Sequence, residues 1–240
     1  MRARPIVGAT LAVLGLALAS LSLPVIISRE CAVAAYVELA DEVADSEEEA
    51  VDWGSLLAAN PSVVAWCRVN GTSIDLPVCQ ASDEDPAFWL THDLWGGESP
   101  AGTPYVDHRA TASSRHLLCY GHHLAGTGGM FSDVYRCHEQ DEFDGVLSGG
   151  LVWSTPDGGE LRMRTLCAST QDMAFGDVQR FDFESTGEFR SWLDGMCNRS
   201  TAKVTDAGKL ASSASRAITL VTCSSDLTGQ RDRTLVTFVA

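Results

Sequence analysis

From Pro61 to the C-terminus the sequence is a series of short apolar, β-branched runs separated by turn residues. Eight such runs stand out, at residues 63–69, 74–79, 103–107, 115–120, 160–169, 178–183, 217–223 and 233–239. Asn70-Gly71 is a tight-turn dipeptide between the first two, and Pro77 marks the second as an edge or a strand end. This spacing predicts a mostly β domain, a barrel or a sandwich. Two segments break the strand pattern. Residues 130–135 read as a short helix. Residues 188–198 place Phe189, Trp192, Leu193 and Met196 at i, i+3, i+4 and i+7, a helix with one buried face.

The first 28 residues follow another logic. Arg2 and Arg4 precede a charge-free apolar run of 23 residues, 5–27. A helix of that length crosses a hydrocarbon core of about 30 Å, whereas a cleavable leader has an apolar stretch of only about 7–15 residues. The expectation is a single-pass signal anchor at 5–28, a cytoplasmic tip at 1–4 and everything later outside the cell. Ala32-Val33-Ala34 resembles a small-x-small cleavage site, the alternative fate of this segment. Residues 29–59 read as an acidic helical stalk and N-terminal helix, with Glu38, Asp41, Glu42, Asp45, Glu47, Glu48, Glu49 and Asp52. A solvated acidic face is preferred there over a calcium site. Residues 60–240 form the remaining domain.

The whole chain of 240 residues carries 17 Lys+Arg against 32 Asp+Glu, a formal charge of −15, and its only lysines are Lys203 and Lys209. No basic surface for nucleic acid is available. The eight cysteines contain no CxxC pair, and most sit in apolar runs where a thiol packs as a small hydrophobe. Gly126-Thr127-Gly128-Gly129 lacks the strand and the Lys-Ser/Thr of a phosphate-binding loop.

The residues that carry chemistry lie late in the chain. Thr219-Leu220-Val221-Thr222-Cys223 ends a β run on a cysteine, a polar stretch follows, and Arg233 opens the next run. Paired as a hairpin, these runs bring Arg233 beside Cys223. Tyr120-Gly121-His122-His123 stands at the end of the run at 115–120. A thiolate that attacks a carbonyl, an imidazole that shuttles a proton and a guanidinium facing the oxyanion make a covalent-catalysis set. Taken singly, each residue also has an ordinary structural reading: a buried thiol, a turn histidine, a solvated arginine.

Several separated motifs, in order, resemble the sortases. Thr219-Leu220-Val221-Thr222-Cys223 with Arg233 is similar to their TLxTC…R signature. Tyr120-Gly121-His122-His123 with Met130-Phe131 is similar to their GH…MF segment. Asn60-Pro61 to Trp66, then Gly71-Thr72-Ser73-Ile74-Asp75-Leu76-Pro77-Val78, resembles the class B opening NPxxxxW…GTxIDxPV. His92-Asp93, the 102–107 segment and the helix from Glu188 also match that class. The resemblance spans about residues 60–240. It implies a closed eight-stranded sortase-type β-barrel with flanking helices, preceded by one transmembrane helix. It also implies a cysteine transpeptidase at the outer face of the cell membrane of a Gram-positive-type bacterium. Such an enzyme cleaves secreted proteins in a C-terminal sorting signal, holds the acyl part as a thioester, and passes it to an amine of peptidoglycan precursor or of a pilin.

Carried over by position, the resemblance makes Cys223 the nucleophile, His122 the general acid/base and Arg233 the oxyanion or substrate ligand. Arg231, two residues earlier, is the rival for the last role. Thr222 either hydrogen-bonds the bound peptide or is an ordinary strand residue. His123 is expected to project opposite to His122, exposed or supporting its neighbours. No acid stands ready in sequence to orient His122, and a free thiol has a pKa of about 8.5. The family implies a minor reactive thiolate population rather than a stable ion pair. No cofactor or metal is implied, since calcium dependence belongs to class A. Cys67 and Cys79 occupy positions usually aliphatic, and the 126–129 loop is richer in glycine than usual. The alternatives are a Cys–His hydrolase with water as acceptor, a zinc module built on Cys119, His122, His123, Cys137 and His138, and a non-catalytic surface protein.

Overall fold

The computed structural model describes residues 4–44, 51–172, 176–226 and 229–240, without the side chains of residues 4–21 and 44. Nine strands form one sheet: β1 Val63–Val69, β2 Asp75–Gln80, β3 Tyr105–Val106, β4 His116–Tyr120, β5 Leu151–Ser154, β6 Glu160–Asp172, β7 Ala202–Lys203, β8 Ala217–Cys223 and β9 Asp232–Val239. The order β5-β1-β2-β3-β4-β8-β9-β6 closes through a β5–β6 pairing into an eight-stranded barrel, with β7 added outside on β6. The long β6 makes this possible. One edge pairs with β5 through Glu160–Met163 and later with β7 through Cys167 and Ala168. Its other edge runs along β9 from Arg164 to Asp172. The β2–β3 and β4–β8 pairs are parallel and the rest antiparallel.

The closed eight-stranded barrel agrees with expectation, but its membership differs from the sequence reading in one strand. Residues 178–183 were expected to form a strand and do not. β3 covers the outer edge of the adjacent β4 only at Cys119 and Tyr120, so that edge is open at His116. Only one ladder-like bond reaches this segment, from His116 N to Phe181 O at 3.2 Å. Its alternating apolar residues serve packing instead: Phe183 meets Phe189 and Trp192 at 5.1 Å each. The eighth barrel strand is β5, four residues long and followed by the turn Thr155-Pro156-Asp157-Gly158, in which Gly158 N bonds Thr155 O at 3.0 Å. A strand that short gives too little alternation to register in sequence.

Five helices flank the barrel: α1 Arg4–Ala44, α2 Trp53–Ala59, α3 Gln140–Val146, α4 Thr186–Arg199 and α5 Ala207–Ser213. The helix foreseen at 188–198 is α4, started by Ser185, whose hydroxyl accepts from Glu188 N. Its face of Phe189, Trp192, Leu193 and Met196 is buried, as the 3.6-residue period requires. Residues 130–135 hold only a single 3-10 turn, Ser132–Val134.

Among the described residues no helix is long and apolar enough to cross a membrane. The run at 5–28 falls mostly on residues whose side chains lie outside the description. Farther along α1, Glu38, Asp41 and Glu42 are exposed, but the helix is not a free stalk. Tyr36 is 2% exposed; its hydroxyl accepts from Leu94 N at 2.9 Å and donates to Gly102 O at 3.2 Å. Val33 lies where a Cβ on Gly129 would come within 2.8 Å of it. Gly129 has φ +79, so both its backbone and its surroundings demand glycine. The glycine-rich loop is thus where α1 lies against the barrel.

Candidate active site

The hairpin of β8 and β9 pairs Cys223 with Arg233 directly. The parallel β4–β8 pair ends at Tyr120↔Val221 and is extended by a bond from Gly121 N to Val221 O at 3.0 Å. Two residues past that last pair stand His122 on one side and Cys223 on the other. His122, Cys223, Arg233 and Thr222 all line one cleft of about 350 Å³. Its walls add Tyr120 of the His122 motif, and Leu90, Tyr105, Gln171, Val178 and Gln179, which sequence reasoning did not single out. Val178 and Gln179, at the start of the segment displaced from the sheet, therefore roof the cleft.

The GH…MF spacing has a steric reason. Phe131 is fully buried with its ring where a Cβ on Gly121 would come within 2.6 Å, and Phe131 N bonds His122 O at 2.9 Å. The turn between them holds Met130 at φ 49. Gly121 thus lets the loop fold back on the ring and present His122. Gly121→Ala is expected to lower thermal stability by about 5 °C, in line with an overpacking cost of about 1–3 kcal/mol. Its reaction with thiol-directed peptides should fall in parallel, which differential scanning fluorimetry and alkylation rates will measure. The class B opening motif is also structural. Asn60 Nδ2 donates to Leu94 O at 2.7 Å, and Trp66 Nε1 donates to Asp75, which also pairs with Arg68 at 2.9 Å.

His122 is oriented by a backbone carbonyl rather than an acid: Nε2 donates to Leu90 O at 2.8 Å. The tautomer with hydrogen on Nε2 follows, because a carbonyl only accepts. Burial pushes the imidazole pKa below its usual value; the Leu90 carbonyl opposes this, and the charges of Arg29 and Arg233 add to the lowering. The neutral imidazole is therefore the dominant form at neutral pH. Arg29 comes from α1, so the N-terminal helix reaches the electrostatics of the site.

His123 packs away from the cleft. Its ring stacks on Tyr135 at 4.0 Å and Nε2 meets Asp226 at 2.8 Å, with 6% of the side chain exposed. It is a supporting residue, tying the loop after β8 to the loop after β4. Arg231 points elsewhere too, in a two-point pair with Asp172 at 3.1 Å for each bond. Arg233 instead donates Nη1 to Gln230 O at 2.9 Å and to Asp232 O at 3.0 Å, beside Cys223. Thr222 is 2% exposed and its Oγ1 is buried without a hydrogen-bond partner. Cys223 is half-exposed, whereas Cys67, Cys79, Cys119, Cys137, Cys167 and Cys197 are buried.

The residues of the zinc alternative are scattered. Cys119 is sealed in the barrel, His122 is on Leu90, His123 on Asp226 and His138 on Thr234 at 3.1 Å. Among the described residues no group of three or more His, Cys, Asp or Glu is placed to hold a metal.

This barrel, with a Cys, a His and an Arg at one end of it, is the sortase fold, and specifically that of class B. Sortase B of Clostridium perfringens superposes with a TM-score of 0.66 at 23% identity, over 78% of this chain and 97% of that one. A Staphylococcus aureus sortase B–substrate complex gives 0.68 at 21%, over 86% and 94%. Sortase B of Bacillus anthracis gives 0.65 at 21%, over 79% and 83%. No family model and no curated protein matches the sequence.

Proposed function

We propose that the protein is a membrane-anchored sortase of the class B type. It is a cysteine transpeptidase that cleaves secreted proteins within a C-terminal sorting signal and transfers them to an amine of peptidoglycan precursor or of a pilin subunit. The observation that carries this reading is the register of three strand ends, which sets His122, Cys223 and Arg233 around one peptide-sized cleft. The Cys223 thiolate attacks the scissile carbonyl carbon, and the oxyanion that forms faces the Arg233 guanidinium. His122 protonates the departing amine, leaving a thioester. An incoming amine then attacks the thioester carbon, gives up a proton to His122 and releases the Cys223 sulfur. Because the neutral imidazole dominates, His122 is seldom in the protonated form that the departing amine needs, and slow turnover is expected. Thr222 projects from the face of β8 opposite to Cys223, which fits its reading as an ordinary strand residue.

Anchoring at 5–28, with the N-terminus inside and residues 60–240 outside, is supported by the 23-residue charge-free run behind Arg2 and Arg4. Both acceptors would then lie on the same side of the membrane as the cleft.

Intact-mass measurement after incubation with candidate sorting peptides tests the chemistry. An adduct on Cys223 equal to the N-terminal part of the peptide is expected, discharged by added amine into a ligated product. Discharge into acid alone, amine or no amine, would instead favour the Cys–His hydrolase. Absence of any acyl adduct across secreted candidates would overturn both.

A further inference from the structure

The row of residues at the cleft does not end at Arg233. On its far side β9 pairs with β6, and the partner of Arg233 there is Gln171. Cys223, Arg233 and Gln171 thus stand on three adjacent strands in one register row, and directly opposed residues project from the same face of a sheet. All three line the cleft. The Gln171 Oε1 atom is buried and has no hydrogen-bond partner. Thr222, one residue before Cys223, projects from the opposite face of β8 and does not share this row. Buried polar atoms are almost always paired, and an unpaired one in a cleft points to a group that arrives with the ligand. Oε1 only accepts, so the group it pairs with must be a donor. It matches a main-chain N–H of an extended peptide.

We propose that Gln171 is a substrate-binding residue whose carboxamide oxygen accepts a main-chain N–H of the acyl-donor peptide, on the opposite side of Arg233 from Cys223. The inference rests on the transpeptidase reading and extends it to the donor side of the cleft. Strands lie about 4.8 Å apart, so Gln171 is roughly 10 Å from Cys223. An extended peptide advances about 3.3 Å per residue. The N–H that Gln171 receives therefore belongs to a residue about three positions before the reacting carbonyl, too far for a single-residue ligand to reach. Reading a main-chain group makes this contact independent of the side chains of the sorting signal.

The test compares three alkylating reagents on Cys223 in the full chain: iodoacetamide, acetyl-Thr chloromethyl ketone and acetyl-Ala-Ala-Ala-Thr chloromethyl ketone. Gln171→Leu keeps the bulk of the side chain and removes its acceptor. The expected result is a roughly tenfold slower reaction with the tetrapeptide reagent, the loss of one hydrogen bond, while the two short reagents stay within about twofold of wild type. Gln171→Asn, which retains an amide, should recover part of the tetrapeptide rate, and it repeats the comparison if the leucine variant fails to fold. An unchanged tetrapeptide rate in Gln171→Leu overturns the inference alone. An equal loss with all three reagents also overturns it, because the residue then acts on the sulfur or on the fold. A wild-type Cys223 that none of the three alkylates overturns the transpeptidase reading and this inference with it.

Discussion

Cys223→Ala is expected to abolish transfer, a loss on the order of a millionfold, in a protein whose barrel remains folded. Cys223 is only partly buried at the end of β8 and lies outside the hydrophobic core, so truncating it leaves no cavity there. His122→Ala and Arg233→Ala should each leave only traces of activity. For Arg233 the expected loss is about 10²–10³-fold, the usual effect of removing one group that faces an oxyanion. Arg231→Ala is the discriminating control. Its guanidinium is already committed to Asp172 on an exposed edge, so its loss should cost transfer little. Acyl-enzyme formation followed by mass spectrometry, with circular dichroism as the check on folding, measures all four. Full activity in Arg233→Ala would move the oxyanion role to another group.

The outcome depends on a site only partly visible in the sequence. Cys223 and Arg233 are legible because a short loop joins their strands, and a hairpin sets its own register. His122 is legible through the GH…MF spacing, which the structure explains by the Phe131 ring beneath Gly121. Gln171 is not legible, because its place beside Arg233 depends on the β6–β9 register, fixed by a pairing between strands far apart in the chain. The Leu90 carbonyl that orients His122 is a backbone group, and no side-chain pattern announces it. The segment at 178–183 misled for a related reason. It alternates like a strand, but alternation reports only which side chains are buried, and here they are buried against α4, in a roof rather than in a sheet. The burial of Tyr36 against the loop at Leu94 and Gly102 was hidden by the acidic residues around it, which occupy the other side of α1.

That roof should also make the fold sensitive to acid, through a histidine outside the chemistry. His116 is fully buried at the start of β4. Its Nδ1 donates to Arg180 O at 2.8 Å, since a carbonyl only accepts. Nε2 therefore accepts from Thr219 Oγ1 at 2.9 Å, and that hydroxyl in turn meets Thr237 Oγ1 at 3.0 Å. Trp192 packs against the ring at 4.6 Å. Burial pushes the His116 pKa down to about 4, with the Arg180 carbonyl and the negative charge of Asp107 opposing it only in part. In the unfolded chain the same ring titrates near 6.5. Between these values the unfolded state binds the extra proton, so stability falls as pH drops from about 6.5 towards 4 and levels off below. The contribution is about 3 kcal/mol in all, of which about 2.5 kcal/mol is lost by pH 4.5. His116→Gln should be less stable than wild type at pH 7, because the three-residue hydrogen-bond chain is broken. It should also lose less stability on acidification, by about 2.5 kcal/mol between pH 7 and 4.5 in urea unfolding. Carboxylates such as Asp107 titrate in both proteins and cancel in this difference. Equal acid sensitivity in the two would place the proton uptake elsewhere.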